Sequence, residues 1–202
     1  MALPSSGALS LNAIHIEAGG SSGTSASIND SDIRGLISKG SGAQMSFNEW
    51  YGAANNLYDG TVTNGYHSAD FGFLGQFFFR GFKNGNSQQG SFTVINNVNF
   101  GSVNDSTVDF LSDASLIVLA ESTQSSASAA GTLNFEVSGS FSNSGFSTLK
   151  LTNNGGSNTF NRTDATYQSQ NGTTSWAWST TLNQNPFGTN GANITSTEFE
   201  FN

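Results

Sequence analysis

The side chains that could carry out acid–base or nucleophilic chemistry are few and scattered. The chain has two histidines, His15 and His67, and no cysteine, which excludes thiol nucleophiles, disulfides and cysteine-bound zinc. His15 stands between two isoleucines without a partner at metal-ligand spacing, and His67 lies in a polar stretch. We predict a structural or surface role for both, and no Ser-His-Asp triad can be argued from one histidine among so many serines.

The carboxylates show no pattern that favours catalysis. Asp105, Asp109 and Asp113 are spaced four apart, but they lack a helical apolar face and the glycine and glutamate of a calcium loop. Solvated turn acids are the preferred interpretation, with a loop-bound cation as the alternative. Glu198 and Glu200 fit the solvated side of a terminal strand better than a glycosidase pair. The sequence therefore predicts no catalytic residue, no metal site and no cofactor.

Three aromatic residues could instead bind a sugar. Tyr167, Trp176 and Trp178 stand among many Asn, Gln, Ser and Thr residues, and a flat ring suits the apolar C–H face of a sugar. The same Trp-X-Trp alternation is typical of core packing in a strand. Glycan contact and burial both remain open for these three residues at this point.

Composition and charge exclude several classes of partner. Only six basic residues stand against fourteen acidic ones, a net charge of −8, which disfavours nucleic acid and anionic membrane surfaces. No window is apolar enough to span a bilayer, and the first 20 residues lack the features of a secretory signal. We expect a protein made in a cytoplasm, with neither nucleic acid nor membrane as a partner.

The elements begin with a threefold repeat of serine, a large apolar residue and asparagine. The copies are Ser10-Leu11-Asn12, Ser27-Ile28-Asn29 and Ser46-Phe47-Asn48. Serine is a favoured N-cap, Glu49 completes a capping box in the third copy, and Asp30 takes that place in the second. The pattern predicts short helices over residues 11–18, 28–37 and 47–51.

Such short helices are unstable alone, and their apolar residues are too few for a self-sufficient core. We therefore predict that residues 1–53 form a helical attachment module that folds against something larger. The residues expected to serve it are Leu3, Leu11, Ile14, Ile28, Ile33, Phe47, Trp50 and Tyr51.

The rest of the chain favours strands. After a predicted linker over residues 54–63, apolar residues alternate with polar ones, as in Leu133, Phe135 and Val137, and a strand region is expected over residues 91–100. Asn-Gly pairs supply turn positions between the strands. The fold class predicted is mainly β: a short helical N-terminal module followed, over residues 64–202, by an antiparallel β-sandwich or jelly-roll-like domain.

The segments LPSSGALSLN at residues 3–12 and MSFNEWYG at residues 45–52 resemble the N-terminal region of tailed-bacteriophage structural proteins of the tail-fibre-like family. In that family an LPSSG motif opens the attachment module, and an ISL-type motif ending in YG closes it. The C-terminal runs FNRTDA, WAW and NPFG also look like the closing segments of such phage β domains.

The resemblance implies a virion component that lies on the tail rather than the capsid. Residues 3–53 would dock to other virion proteins, and the β domain would project and contact a host cell-surface glycan. Such appendages are usually homo-oligomers and often trimers. The alternative is a purely structural capsid decoration, cement or tail-adaptor protein. A polysaccharide-degrading enzyme is the least favoured hypothesis, because no acid pair or triad supports it.

Overall fold

Residues with period-two alternation form strands in a computed structural model of the chain. The structure describes residues 3–4, 6–37, 39–53, 57–124, 129–182, 184–188 and 195–202. Residues 57–201 form one compact unit, the β unit, and residues 1–56 belong to the other, the N-terminal unit.

Twelve strands lie in the described part of the β unit. They are β1 (Tyr58–Thr63), β2 (Gly65–Asp70), β3 (Gln76–Lys83), β4 (Ser102–Val103), β5 (Thr107–Val108), β6 (Ala114–Gln124), β7 (Gly131–Ser138), β8 (Thr148–Asn153), β9 (Gly156–Asn161), β10 (Thr166–Gln170), β11 (Thr173–Ser179) and β12 (Ser196–Phe201). Short 3₁₀ turns lie between some of them, at Gly72–Leu74, Gly90–Ile95, Asp109–Leu111 and Arg162–Asp164.

The strands form two antiparallel sheets that pack as a sandwich. The five-stranded sheet has the order β4-β1-β12-β8-β9. The seven-stranded sheet has the order β10-β11-β7-β6-β3-β2, and β5 pairs with β6 beside that path. The fold class predicted from the sequence is therefore confirmed: a mainly β chain with an antiparallel sandwich and short helices in its N-terminal region.

Strand register brings the large apolar side chains into the space between the sheets. Leu119 and Trp176 lie opposite Phe135 on neighbouring strands of the seven-stranded sheet. Phe201 reaches them from the five-stranded sheet, with its ring centroid 4.5 Å from that of Phe135. All four side chains are fully buried, so aromatic contacts across the sandwich dominate its core.

A second apolar cluster covers the outer face of the seven-stranded sheet. Residues 84–100, here called the strap, lie over this face and pack Phe92, Ile95 and Phe100 against Phe79 and Val118. The strand expected over residues 91–100 is wrong, because its first half is a 3₁₀ turn and its end makes only one isolated bridge. Residues three apart share a face in a 3₁₀ turn, so the spacing of Phe92 and Ile95 suits this geometry.

The described residues of the N-terminal unit form two helices and a 3₁₀ turn: α1 (Leu11–Glu17), α2 (Ser31–Gly35) and the turn Phe47–Trp50. The first and third lie where the repeat predicted them. The second begins after Asp30, because Asp30 itself has extended backbone angles and occupies the N-cap. The helix expected over residues 28–37 is thus only five residues long.

The predicted linker over residues 54–63 needs correction in its second half. Residues 58–63 are β1, which pairs with both β12 and β4 in the five-stranded sheet. Tyr58 and Val62 of this strand are buried in the sandwich core. Residues 54–56 lie outside the described residues.

Candidate functional site

The two ends of the N-terminal motif meet in the structure. The backbone N–H of Leu3 donates to the carbonyl of Ala53 at 2.8 Å, and that of Gly52 donates to Pro4 at 3.1 Å. The Tyr51 hydroxyl donates to the carbonyl of Gly7 at 2.6 Å. The opening LPSSG segment and the closing YG segment therefore form one closed structure.

Ser10 and Ser46 occupy the N-cap positions that the repeat predicted, whereas in the second copy this position belongs to Asp30. The Ser10 hydroxyl accepts from the N–H of Ala13 at 3.1 Å, at the start of α1. In the third copy the N–H of Ser46 donates to the Glu49 carboxylate at 3.1 Å. A hydrogen bond from Lys39, and then the one from Ser46, hold the pKa of Glu49 below its usual value. In the second copy the backbone N–H of Ser27 donates to the Asp30 carboxylate at 2.7 Å, just before the helix begins.

The residues predicted to serve attachment divide into an internal core and a surface. Leu3, Ile14, Ile33 and Trp50 are buried against one another, and the Trp50 indole N–H donates to the Ile33 carbonyl at 3.0 Å. The partly buried Leu11 and Ile28 pack around this cluster, Tyr51 is half-buried, and Phe47 is 40% exposed. The four buried residues of this cluster thus form the core of the unit. Phe47 and Ile16, which is 46% exposed, are apolar side chains on the surface of the unit.

A buried arginine completes this unit, and the sequence analysis did not single it out. The Arg34 guanidinium donates to the carbonyl of Gly40 twice, at 2.6 and 3.0 Å, and to that of Ala43 at 2.6 Å. It also donates to the Asn29 side chain at 3.1 Å. The fork geometry of arginine lets one side chain bind the loop after α2 to the residues before it. No periodic pattern marks such a residue, because its partners are backbone carbonyls.

The predicted glycan contacts are corrected by the structure. Trp176 is 0% and Trp178 2% exposed, and both are in the sandwich core. Their indole N–H groups donate to Asn143 at 2.9 Å and to the Asn161 carbonyl at 2.6 Å. Tyr167 is partly buried, with its ring against Trp176 and its hydroxyl donating to the Phe141 carbonyl. The two buried tryptophan rings offer no face to a sugar and serve as packing elements, with the partly buried Tyr167 against Trp176.

An ion pair is buried at the inner face of the seven-stranded sheet. Arg80 of β3 lies opposite Glu121 of β6, with the nitrogen and oxygen 3.8 Å apart and both side chains at most 3% exposed. The Thr180 hydroxyl donates to Glu121 at 2.6 Å, and Arg80 donates to the carbonyl of Gly188. Burial raises the pKa of Glu121, while Thr180 and the charge of Arg80 act in the opposite direction. The pair therefore connects two strands to both ends of segment 180–188.

Two more buried charges hold the strap. Glu136 is 0% exposed on the outer face of β7 and accepts from the Ser87 hydroxyl and, at 2.9 Å, from the N–H of Gln88. Lys83 is also 0% exposed and donates to the carbonyls of Gly85 and, at 3.0 Å, Val98. Burial lowers the pKa of Lys83, and the charge of Glu136 partly offsets this. Both charges bind strap backbone, and their burial keeps them from reacting with a ligand in solution.

Each histidine contacts one neighbouring side chain in the described part of the chain. His15 is nearly buried and its Nε2 lies 2.7 Å from the Thr24 hydroxyl, while His67 lies beside Phe79. No group of three or more His, Cys, Asp or Glu side chains among the described residues is placed to hold a metal ion. Among the same residues, no helix has both the length and the apolar character to cross a bilayer.

No family model, no curated protein and no solved structure matches the chain.

Proposed function

We propose that this chain is a structural protein of a tailed-phage virion, most simply a fibre or receptor-binding subunit of a tail appendage. The N-terminal unit docks to another virion protein, and the β unit is presented for contact with the host surface. The subunits assemble as a homo-oligomer, for which a trimer is the first arrangement to test.

The observation that carries this proposal is the closed N-terminal motif. Its opening and closing segments, which resemble the phage attachment motif, are joined by backbone hydrogen bonds at Leu3–Ala53 and Pro4–Gly52. A buried cluster of four apolar residues fills the space between the helices of this unit. A sequence motif whose two distant ends hold one small unit together is what a transferable docking module requires.

Immunogold electron microscopy of intact particles tests the location. The antibody is raised against residues 57–201, and the particles come from the phage that encodes the chain. Label at the tail tip or along fibres is the expected result. Label distributed over the capsid would favour a decoration or cement protein instead, and particles without label would overturn the virion role.

A surface variant tests the docking role separately. Ile16 and Phe47 are both exposed and apolar, so replacing both with serine removes contact area without emptying the core. We expect particles assembled with the I16S/F47S chain to contain fewer copies of it. The matched control is Val94→Ser in the strap, where a 53% exposed valine is lost from the β unit. Equal incorporation of both variants would contradict docking through residues 3–53.

A further inference from the structure

Phe73 stands out on the surface of the β unit. Its side chain is 98% exposed, and the next residue, Leu74, is 49% exposed. Both lie in the 3₁₀ turn Gly72–Leu74, at the tip of the hairpin that joins β2 to β3. An exposed phenyl ring contributes no free energy of burial to folding, so folding alone does not favour phenylalanine at this position.

The neighbouring phenylalanines show that this exposure is particular to position 73. The rings of Phe71 and Phe77 lie 5.5 Å apart in an edge-on contact, on either side of the tip. Both are partly buried and pack against the apolar cluster under the strap. Two of the three rings in this hairpin end therefore stabilise the β unit, and the third points away from it.

The turn that presents Phe73 is tied on several sides. The N–H of Gly72 donates to the Asp70 carboxylate at 2.9 Å, and the N–H of Phe71 donates to the Gly75 carbonyl at 3.1 Å. The side-chain amide of Gln124, at the end of β6, donates to the carbonyl of Leu74. Gly72 and Gly75 have φ of +64° and +81°, which other residues rarely adopt. A ring held outward on a fixed turn loses little entropy when it is bound.

From this geometry we infer that Phe73 and Leu74 form an apolar plug that inserts into a pocket of a protein on the host cell surface. The host source rests on the proposed function, in which the N-terminal unit faces the particle and the β unit faces the host. The pocket is apolar inside, with a neutral or basic rim.

The chemistry of the tip favours a protein pocket over a glycan. Phenylalanine and leucine side chains have no hydrogen-bonding group, and several polar groups of the turn are already used within it. The hydroxyl groups of a sugar bound over the plug would find no hydrogen-bonding partner there. An apolar protein pocket matches both side chains, and a buried aromatic anchor is the usual centre of a protein interface.

Charge disfavours a lipid surface and a contact between the tips of two copies of the chain. Between Asp70 and Gln76 the one ionisable side chain is the exposed carboxylate of Asp70, and the whole chain carries −8. Anionic lipid headgroups would repel such a tip, since no basic residue lies beside it in the turn. A contact between two tips would bring two Asp70 carboxylates together, whereas a neutral or basic rim complements this charge.

Photo-crosslinking from the tip identifies the occupant. A benzophenone derivative of phenylalanine replaces Phe73 in the phage-encoded chain, and a matched control places it at Leu182, which is 67% exposed elsewhere in the β unit. Particles are adsorbed to host cells and irradiated. We expect position 73, but not position 182, to crosslink to a host protein. A crosslink to a second copy, to another virion protein, or to no protein at all would overturn the plug.

A binding measurement tests the energetics with the purified full-length chain. The F73S/L74S variant should bind host cells at least tenfold more weakly than the unmodified chain, while V94S and L182S bind equally well. Protease treatment of the cells should remove binding, and periodate treatment should not. Circular dichroism spectra and melting curves that match those of the unmodified chain show that F73S/L74S is folded. Equal binding by F73S/L74S, or loss of binding after periodate alone, would contradict the inference.

The immunogold experiment keeps the two proposals distinguishable. If the tails are labelled but position 73 gives no crosslink to a host protein, the virion role is supported and the plug is contradicted. Unlabelled particles would remove the virion role, and with it the host assignment of the pocket.

Discussion

At the scale of single residues, buried charges hold loops by binding their backbone carbonyls. Arg34 does so in the N-terminal unit and Lys83 in the β unit. A buried charge is tolerated only when its hydrogen-bonding groups are satisfied, and carbonyl oxygens can satisfy a cation as well as a carboxylate can. These residues should be sensitive to substitutions that keep their size but remove their donors.

Replacing Arg34 with methionine should destabilise the N-terminal unit by about 2–3 kcal/mol, because the carbonyls of Gly40 and Ala43 lose a charged donor whose side chain is buried. Hydrogen exchange of the amides in residues 6–53 of the full chain measures this. The control is Lys39→Ala, which removes an ion pair to Glu49 that is about one-third exposed at each end. That substitution should change the free energy of unfolding by no more than about 1 kcal/mol. Equal effects would show that Arg34 is not the organising contact.

Glu121 predicts a pH dependence with a definite sign. Burial raises its pKa in the folded chain above the ordinary 4.5, so the folded state holds the proton more tightly than the unfolded state. Its stabilising contribution is complete below about pH 4.5 and is lost as the pH rises through the raised pKa. Glu121→Gln keeps an acceptor for Thr180 but does not titrate.

The measurement is the difference in free energy of unfolding between the unmodified chain and E121Q as a function of pH. We expect the stability of the unmodified chain relative to E121Q to fall as the pH rises from about 4.5. Glu198→Gln, at an exposed position of β12, controls for the loss of one carboxylate. A difference that does not change with pH would show that the Glu121 carboxyl titrates alike in both states.

At the scale of elements, the short helices depend on glycines with opposite roles. Gly35 is the last residue of α2, and a Cβ added there would meet no atom within 4 Å. Gly20 follows α1, and a Cβ there would lie 2.1 Å from Cε1 of His15. The first glycine therefore weakens its helix without a packing reason, while the second provides space for a ring.

Gly35→Ala should stabilise the N-terminal unit by about 0.5–1 kcal/mol, through lower backbone entropy in the unfolded chain. Gly20→Ala, its matched partner, should destabilise the unit by about 1–3 kcal/mol, because the His15 ring must leave its place beside Thr24. Hydrogen exchange of the same amides reports both effects. The same sign for both substitutions would contradict the packing around His15.

The strap is the element where sequence periodicity and structure disagree most. Its apolar residues suggested a strand, but the strap is held by the buried Glu136 and by a 3₁₀ turn. The alternation of apolar and polar residues in the strap extends over too few residues to distinguish a strand from a 3₁₀ turn. The acceptor that binds Gln88 lies 48 positions further along the chain, beyond the reach of any local pattern.

At the scale of the whole molecule, strand pairing determines where the β unit begins. β1 lies between β4 and β12, and its Tyr58 and Val62 are buried in the sandwich core. The boundary expected at residue 64, from the onset of apolar and polar alternation, would remove this internal strand and leave β12 with an unpaired edge.

Two truncated chains test that boundary. A chain of residues 57–202 contains every strand of both sheets and should melt in one cooperative transition. A chain of residues 64–202 loses the burial of Tyr58 and Val62, roughly 3–6 kcal/mol together, as well as the hydrogen bonds of β1. We expect it to be unfolded or to melt far lower. Equal melting temperatures, measured by circular dichroism, would show that β1 is dispensable.

The sequence by itself determined the features that depend on neighbouring residues. The serine caps of the N-terminal unit involve partners three positions away, and the alternation in β7 and β11 follows from the pleat of a single strand. These local signals were enough for the fold class and for two of the three helical segments.

Only the tertiary structure decided which face of each strand is buried and which ring remains outside. Trp176 was open to either role until its pairing with Phe135 placed it between the sheets. Phe71 and Phe73 are two residues apart in the same hairpin end, yet one packs inward and the other is exposed. Burial depends on what other strands bring to the same place, and contacts between distant residues have no signature in a local pattern.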